Sequence, residues 1–202
     1  MVSVIRRFLV VAVVALVAIG CAQPPQAELE AALGSIEKAA AAGAEEYAAE
    51  AYAAARDAQT KLEAELKVQN EAFALTRSYG ESLKLAAAAT EAGNRAAAVA
   101  ATQKEAAKTE AAAAVEGAKA AIQAAENAMT TAPKGKGSKA DLEALQADIN
   151  AAKSTLGEAD TAVTGEHYLD AKAKADAARQ KAAGVTSAIE EAIKLRKGGS
   201  RG

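Results

Sequence analysis

Leu85-Ala86-Ala87-Ala88-Ala89-Thr90-Glu91-Ala92-Gly93-Asn94-Arg95-Ala96-Ala97-Ala98-Val99-Ala100 is the stretch that decides the fold class. Alanine is the strongest helix former, because its side chain loses no rotamer freedom and competes for no backbone hydrogen bond. The same composition extends in both directions, for 61 of the 202 residues are alanine. Past residue 20 only 24 Val, Ile, Leu, Met and Phe remain, about 13%, below the ~20% that a globular core normally needs. Strands require alternating β-branched and aromatic residues, so sandwiches, barrels and Rossmann folds are excluded. Helix propensity and a formal net charge of −2 oppose disorder. The expectation is an all-α protein of elongated antiparallel helical hairpins, or a coiled-coil-like bundle.

Working outward, the pattern divides into helices. Leu29, Leu33 and Ile36, spaced by four and three, predict one face of a short helix that stops near Gly43. A second helix is predicted from about Glu45 to Lys67, with Tyr52, Ala55, Ala58, Leu62 and Leu66 on one side. Phe73 and Leu75 open a third pattern that runs through Tyr79, Leu83 and Ala86 toward Met129, with Gly80, Gly93 and Gly117 able to bend it. Within it Val115, Ile122 and Met129 fall at heptad spacing, a stripe for a second copy or for another helix of the chain. Pro133 to Ser138 read as a linker. Beyond it Leu142, Leu145, Ile149, Ala152 and Leu156 trace a helix ending near Gly165, and a last one runs from Glu166 to Lys197. The segments are therefore 1–20, 21–26 (a tether containing Pro24 and Pro25), 27–132, the linker 133–138, a hairpin over 139–197, and a disordered tail over 198–202. The acid-first pairs Asp57 with Lys61, Glu63 with Lys67, Glu91 with Arg95, Asp170 with Lys174 and Glu190 with Lys194 mark solvated helix faces.

The two halves align in part. Ala55, Ala58 and Leu62 match Ile149, Ala152 and Leu156 at an offset of 94, and Ser78-Tyr79-Gly80-Glu81 match His167-Tyr168-Leu169-Asp170 at 89. Either a helix-turn-helix unit is duplicated or alanine-rich helices are aligning by composition. Gly165-Glu166-His167-Tyr168-Leu169-Asp170-Ala171 resembles the opening of the second helix of a tetratricopeptide repeat, without that family's Trp-x-x-Leu-Gly element. The lipid-modification motif described next, the tyrosine-bearing helices and the paired-helix layout together resemble a group of alanine-rich bacterial lipoproteins of unknown function.

At the front, Arg6 and Arg7 precede the apolar run Phe8 to Ile19, twelve residues that are too few to cross a ~30 Å hydrocarbon layer and that read as a secretory signal peptide. Ala18-Ile19-Gly20-Cys21 resembles the lipobox of bacterial lipoproteins. That resemblance implies cleavage between Gly20 and Cys21, diacylation of the Cys21 thiol and acylation, palmitate among the chains, of the new amino terminus. Ala22 stands where an aspartate would imply retention in the inner membrane, so the resemblance implies the outer membrane, periplasmic face. A free thiol behind a plain signal peptide, or an uncleaved anchor, is the competing reading of Cys21.

Catalytic and metal chemistry is not signalled. His167 is the single histidine and Cys21 the single cysteine, so a triad or a nitrogen and sulfur metal site lacks partners, and the carboxylates are spread along helices. Ser35-Ile36-Glu37-Lys38 has the Ser-x-x-Lys spacing of penicillin-recognising enzymes without their companion motifs. No enzyme activity, cofactor or metal is expected. Nucleic acid is not an expected partner either, because the chain without Arg6 and Arg7 carries 22 basic against 26 acidic residues and has no aromatic platform. The cluster Lys194, Arg196 and Lys197 suits either a helix C-terminus or an anionic surface.

The functional expectation is a lipid-anchored envelope protein with a structural or scaffolding role, presenting helical surfaces to an envelope protein or to peptidoglycan. Murein lipoprotein is similar in being lipidated and alanine-rich, but its C-terminal lysine has no counterpart in Ser200-Arg201-Gly202. The alternative is a tetratricopeptide-like module that binds a peptide or assembly factor, with Tyr47, Tyr52, Tyr79 and Tyr168 lining a groove. Exposed tyrosines favour the module and tyrosines tucked into helix contacts favour the scaffold. Oligomeric state is left open by the sequence.

Overall fold

The computed structural model describes residues 23–133 and 138–199, and every regular element among them is a helix. These are α1 (Gln26–Ala41), the single-turn α2 (Ala44–Tyr47), α3 (Ala49–Glu71), α4 (Gly80–Thr131), α5 (Ser138–Thr164) and α6 (Tyr168–Gly199). The fold is all-α and built from antiparallel helical hairpins. Two compact units divide between Gln103 and Lys104, inside α4 and away from the linker at Pro133. α4 is 52 residues of unbroken helix that starts at Gly80.

In the first unit, α1, α3 and the opening of α4 bury Ala32, Leu62, Ala86 and Ala89, with Leu29, Ala58, Leu66 and Leu85 packed around them. Helix α1 carries Glu28 in its first turn and Lys38 in its last, both on the side favoured by the helix dipole. It ends where Gly43 takes a left-handed φ of +79°, a conformation that costs glycine nothing sterically. The predicted face of α1 is corrected in one position: Leu33 is 47% exposed, and Ala32, Ser35, Ile36 and Ala39 form the buried stripe. The single helix predicted over residues 45–67 is interrupted at Ala48, whose φ of −145° and ψ of 43° leave the helical region. No breaker residue signals this; Tyr47 packs over Gly43, with its Cδ2 3.2 Å from where a Cβ on that glycine would stand.

In the second unit, α5 and α6 pack antiparallel to each other against the later turns of α4, with α6 running in the same direction as α4. One cluster joins Ile122 and Ala125 to Ile149, Ala152, Ala182, Val185 and Ile189. A second joins Val115 and Ala118 to Ala159, Ala175 and Ala178. The heptad stripe of Val115 and Ile122 is thus taken up by helices of the same chain. Helix α6 continues to Gly199, two residues past its predicted end and into the segment expected to be a disordered tail.

The two units repeat one burial pattern, in a register different from the one the sequence suggests. Tyr79, Ser82, Ala86, Ala89, Gly93, Ala96 and Ala100 are buried, and so is each residue 89 positions on: Tyr168, Ala171, Ala175, Ala178, Ala182, Val185 and Ile189. For the middle helix the offset that superposes burial is 97, which sets Ala55 on Ala152 and Leu62 on Ala159. The predicted offset of 94 fails because alanines three residues apart match at either register. For the first helix the offset is 86, matching Ala32, Ile36 and Ala39 to Ala118, Ile122 and Ala125.

Candidate functional site

Phe73 and Leu75 do not begin a helix. They lie 72% and 76% exposed in the connection between α3 and α4. A turn closes there, with the Thr76 backbone N–H and its Oγ1 hydroxyl both donating to the Phe73 carbonyl, at 2.8 and 2.9 Å. Side chains bind further backbone groups on both sides of the turn. The Arg77 guanidinium donates to the carbonyls of Ala72 (3.0 Å) and Asn70 (2.9 Å), and the Ser78 N–H donates to Gln69 Oε1 (2.9 Å). The Tyr79 hydroxyl donates to Asn70 Oδ1 at 3.0 Å. These bonds fold the connection onto the end of α3 and leave two large apolar side chains in solvent. Val68, 60% exposed on the last turns of α3, and Leu83, 41% exposed on the first turn of α4, flank it.

The predicted tyrosine contacts separate. Tyr47, Tyr79 and Tyr168 are 9%, 6% and 6% exposed, each at a helix boundary where its ring fills a junction. Tyr52 is half-buried on α3. The four do not form an exposed row. Tyr47 borders an open groove with Glu50, Arg95, Val99 and Gln103. Lys194, Arg196 and Lys197 are exposed, and Arg196 and Lys197 sit in the last turn of α6.

His167 falls in the turn between α5 and α6. Its N–H donates to the Ala162 carbonyl (2.9 Å), and its own carbonyl accepts from Ala171 (2.9 Å), so its backbone ends one helix and starts the next. Beside it Glu166 adopts a φ of +62°, a left-handed conformation that is uncommon for any residue bearing a Cβ. The Lys104 ammonium, 2.6 Å from Glu166 Oε2, donates to that carboxylate and holds its pKa below the ordinary value. Further inter-helix pairs join Glu126 to Lys153 and Glu110 to Lys172. Along single helices, Asp57 with Lys61, Glu91 with Arg95 and Asp170 with Lys174 form as expected. Glu63 instead accepts from Gln59.

Gly20 and Cys21 lie outside the described residues, as does most of the linker at 134–137. Among the described residues no group of three His, Cys, Asp or Glu is placed to hold a metal ion, and no helix is long and apolar enough to cross a membrane. Comparison with protein-family models, with curated proteins and with solved structures finds no match to this chain.

Proposed function

We propose that this chain is a lipid-anchored scaffold of the bacterial envelope, held through Cys21 in the outer membrane on its periplasmic face. It presents helix surfaces to an envelope protein or to peptidoglycan. The observation that carries the scaffold reading over the peptide-binding one is the burial of Tyr47, Tyr79 and Tyr168. A groove that reads peptides offers its aromatic rings to the ligand; here three of the four are consumed in joining helices. The anchor rests on Ala18-Ile19-Gly20-Cys21, and two or three acyl chains, at ~0.8 kcal/mol per buried methylene, make escape from a bilayer negligible.

Scaffolding of this kind needs surfaces and no reaction. Alanine on the inward face lets helices approach closely, and the outward faces carry alternating charge that stays hydrated. Crosslinking in intact cells, followed by identification of what is captured, tests the proposal. Recovery of peptidoglycan fragments or of one envelope protein is the expected result, and a polypeptide found free in the soluble fraction with no partner contradicts it.

A further inference from the structure

We infer that the loop carrying Phe73 and Leu75 inserts into the periplasmic leaflet of the membrane in which Cys21 is anchored, giving the first unit a second, apolar hold on the membrane. This rests on the lipoprotein reading above, and adds to it a site made of folded residues. The placement comes from helix direction. Ser35 on α1 meets Gly93 on α4, and further along the sequence from each, Tyr47 on α2 and Val99 on α4 border one groove, so α1 and α4 run the same way within the first unit. Nine residues back from Ser35 is Gln26, the start of α1; nine back from Gly93 is Lys84, in the second turn of α4. The start of α1 and the α3 to α4 loop therefore share one end of the unit.

Four residues lie between Cys21 and Gln26, a span of five residue steps. Even fully extended, at about 3.3 to 3.6 Å per residue, they reach no more than ~18 Å. A lipid on Cys21 thus keeps this end of the unit within that distance of the acyl chains. The loop found there is the one held by side-chain bonds from Arg77, Gln69 and Thr76 to its backbone, with Phe73 and Leu75 left in water. An isolated exposed apolar residue calls for no explanation, but Val68, Phe73, Leu75 and Leu83 gather at the end nearest the anchor. Between residues 65 and 84 the charges balance, Glu65, Glu71 and Glu81 against Lys67, Arg77 and Lys84. Attraction to anionic headgroups is therefore not the force, and burial of the apolar side chains is.

The chain contains no tryptophan, so a substituted indole reports its own surroundings. Full-length protein carrying Phe73→Trp, and separately Leu75→Trp, is purified from the producing cells and reconstituted in phosphatidylcholine vesicles with brominated acyl chains. Val99→Trp, 37% exposed toward the opposite end of the same unit, is the control. The expected result is blue-shifted emission and loss of fluorescence to bromine for the two loop variants and not for the control, unchanged when anionic lipid is added. Loop indoles that keep water-like emission, that shift without being quenched, as contact with a protein would cause, or that respond only to anionic vesicles overturn the inference. Intact mass of the same preparations separates the two proposals: an acylated Cys21 with an unquenched loop defeats this inference alone, whereas an unmodified Cys21 defeats the anchor and the inference with it.

Discussion

Gly93 leaves room for Ser35 and for nothing more. A Cβ placed on Gly93 would stand 2.8 Å from the Ser35 carbonyl carbon and 2.9 Å from its Cβ, so α1 and α4 approach there at a distance that only hydrogen permits. Ser35 is itself buried, and its hydroxyl donates to the Ala32 carbonyl at 2.8 Å and lies 3.5 Å from that of Ala89. The equivalent position in the second unit is Ala182, fully buried with its methyl accommodated. Gly93→Ala is expected to lower stability by about 1 to 3 kcal/mol, the cost of overpacking a filled contact. Ser35→Ala in the same chain should recover little, because the clash is with backbone as well as hydroxyl. Gly34→Ala and Gly157→Ala, which meet no atom within 4 Å, should each raise stability by about 0.5 to 1 kcal/mol. Denaturant titration of the variants checks the opposite signs.

Ser82 is fully buried, and its Oγ has no hydrogen-bond partner among the described residues. An unpaired buried hydroxyl costs about 1 to 3 kcal/mol of desolvation. The matching residue 89 positions on is Ala171, equally buried. Ser82→Ala is therefore expected to stabilise the chain, read as a rise in the denaturation midpoint with an unchanged slope. A fall in the midpoint would show that the hydroxyl has a partner.

The most deeply buried aliphatic side chains, Ile149, Val185 and Ile189, lie in the second unit at 2% exposure or less, whereas the first unit's Leu62 and Ile36 are 3% and 4% exposed. Ile149→Ala should cost about 2 to 5 kcal/mol, as cavity-forming substitutions do. Leu33→Ala, on an exposed position of α1, should change stability by less than about 0.5 kcal/mol. Amide exchange should accordingly be slower around Ile149 and Val185 than around Ala55, because local opening is easiest where least apolar surface is buried.

Hydrogen bonding from Lys104 holds the Glu166 carboxyl below its usual pKa. The folded chain therefore binds that proton less readily than the unfolded chain. The stabilisation is complete above the ordinary carboxylate range and is lost as pH falls through the depressed folded value. Carboxyl titration by NMR should place Glu166 below the ordinary glutamate value and return it toward that value in Lys104→Ala. Both groups are solvated, so the effect on overall stability is small.

The helical class was legible in alanine content alone, and the ends of α1 and α5 in Gly43 and Gly165. Other features were hidden for identifiable reasons. Leu33 looked like core because it is apolar and correctly spaced from Leu29, yet the buried stripe is drawn by Ala32, Ser35 and Ile36, where small side chains permit close contact. Gly93 read as a bend and is a contact, a distinction that depends on what faces it. Phe73 and Leu75 sit two residues apart, which no single helix face accommodates, and that spacing was the available signal for a loop. The repeat was visible at Tyr79 and Tyr168 and misregistered in the middle helix, where alanine provides no landmark.

Mass spectrometry of the native amino-terminal peptide reads the anchor itself. The expected peptide starts at Cys21 and carries diacylglycerol on the sulfur, with a further acyl group on the new amine. A peptide with a bare thiol at residue 21, or one that still continues back through Gly20, contradicts it.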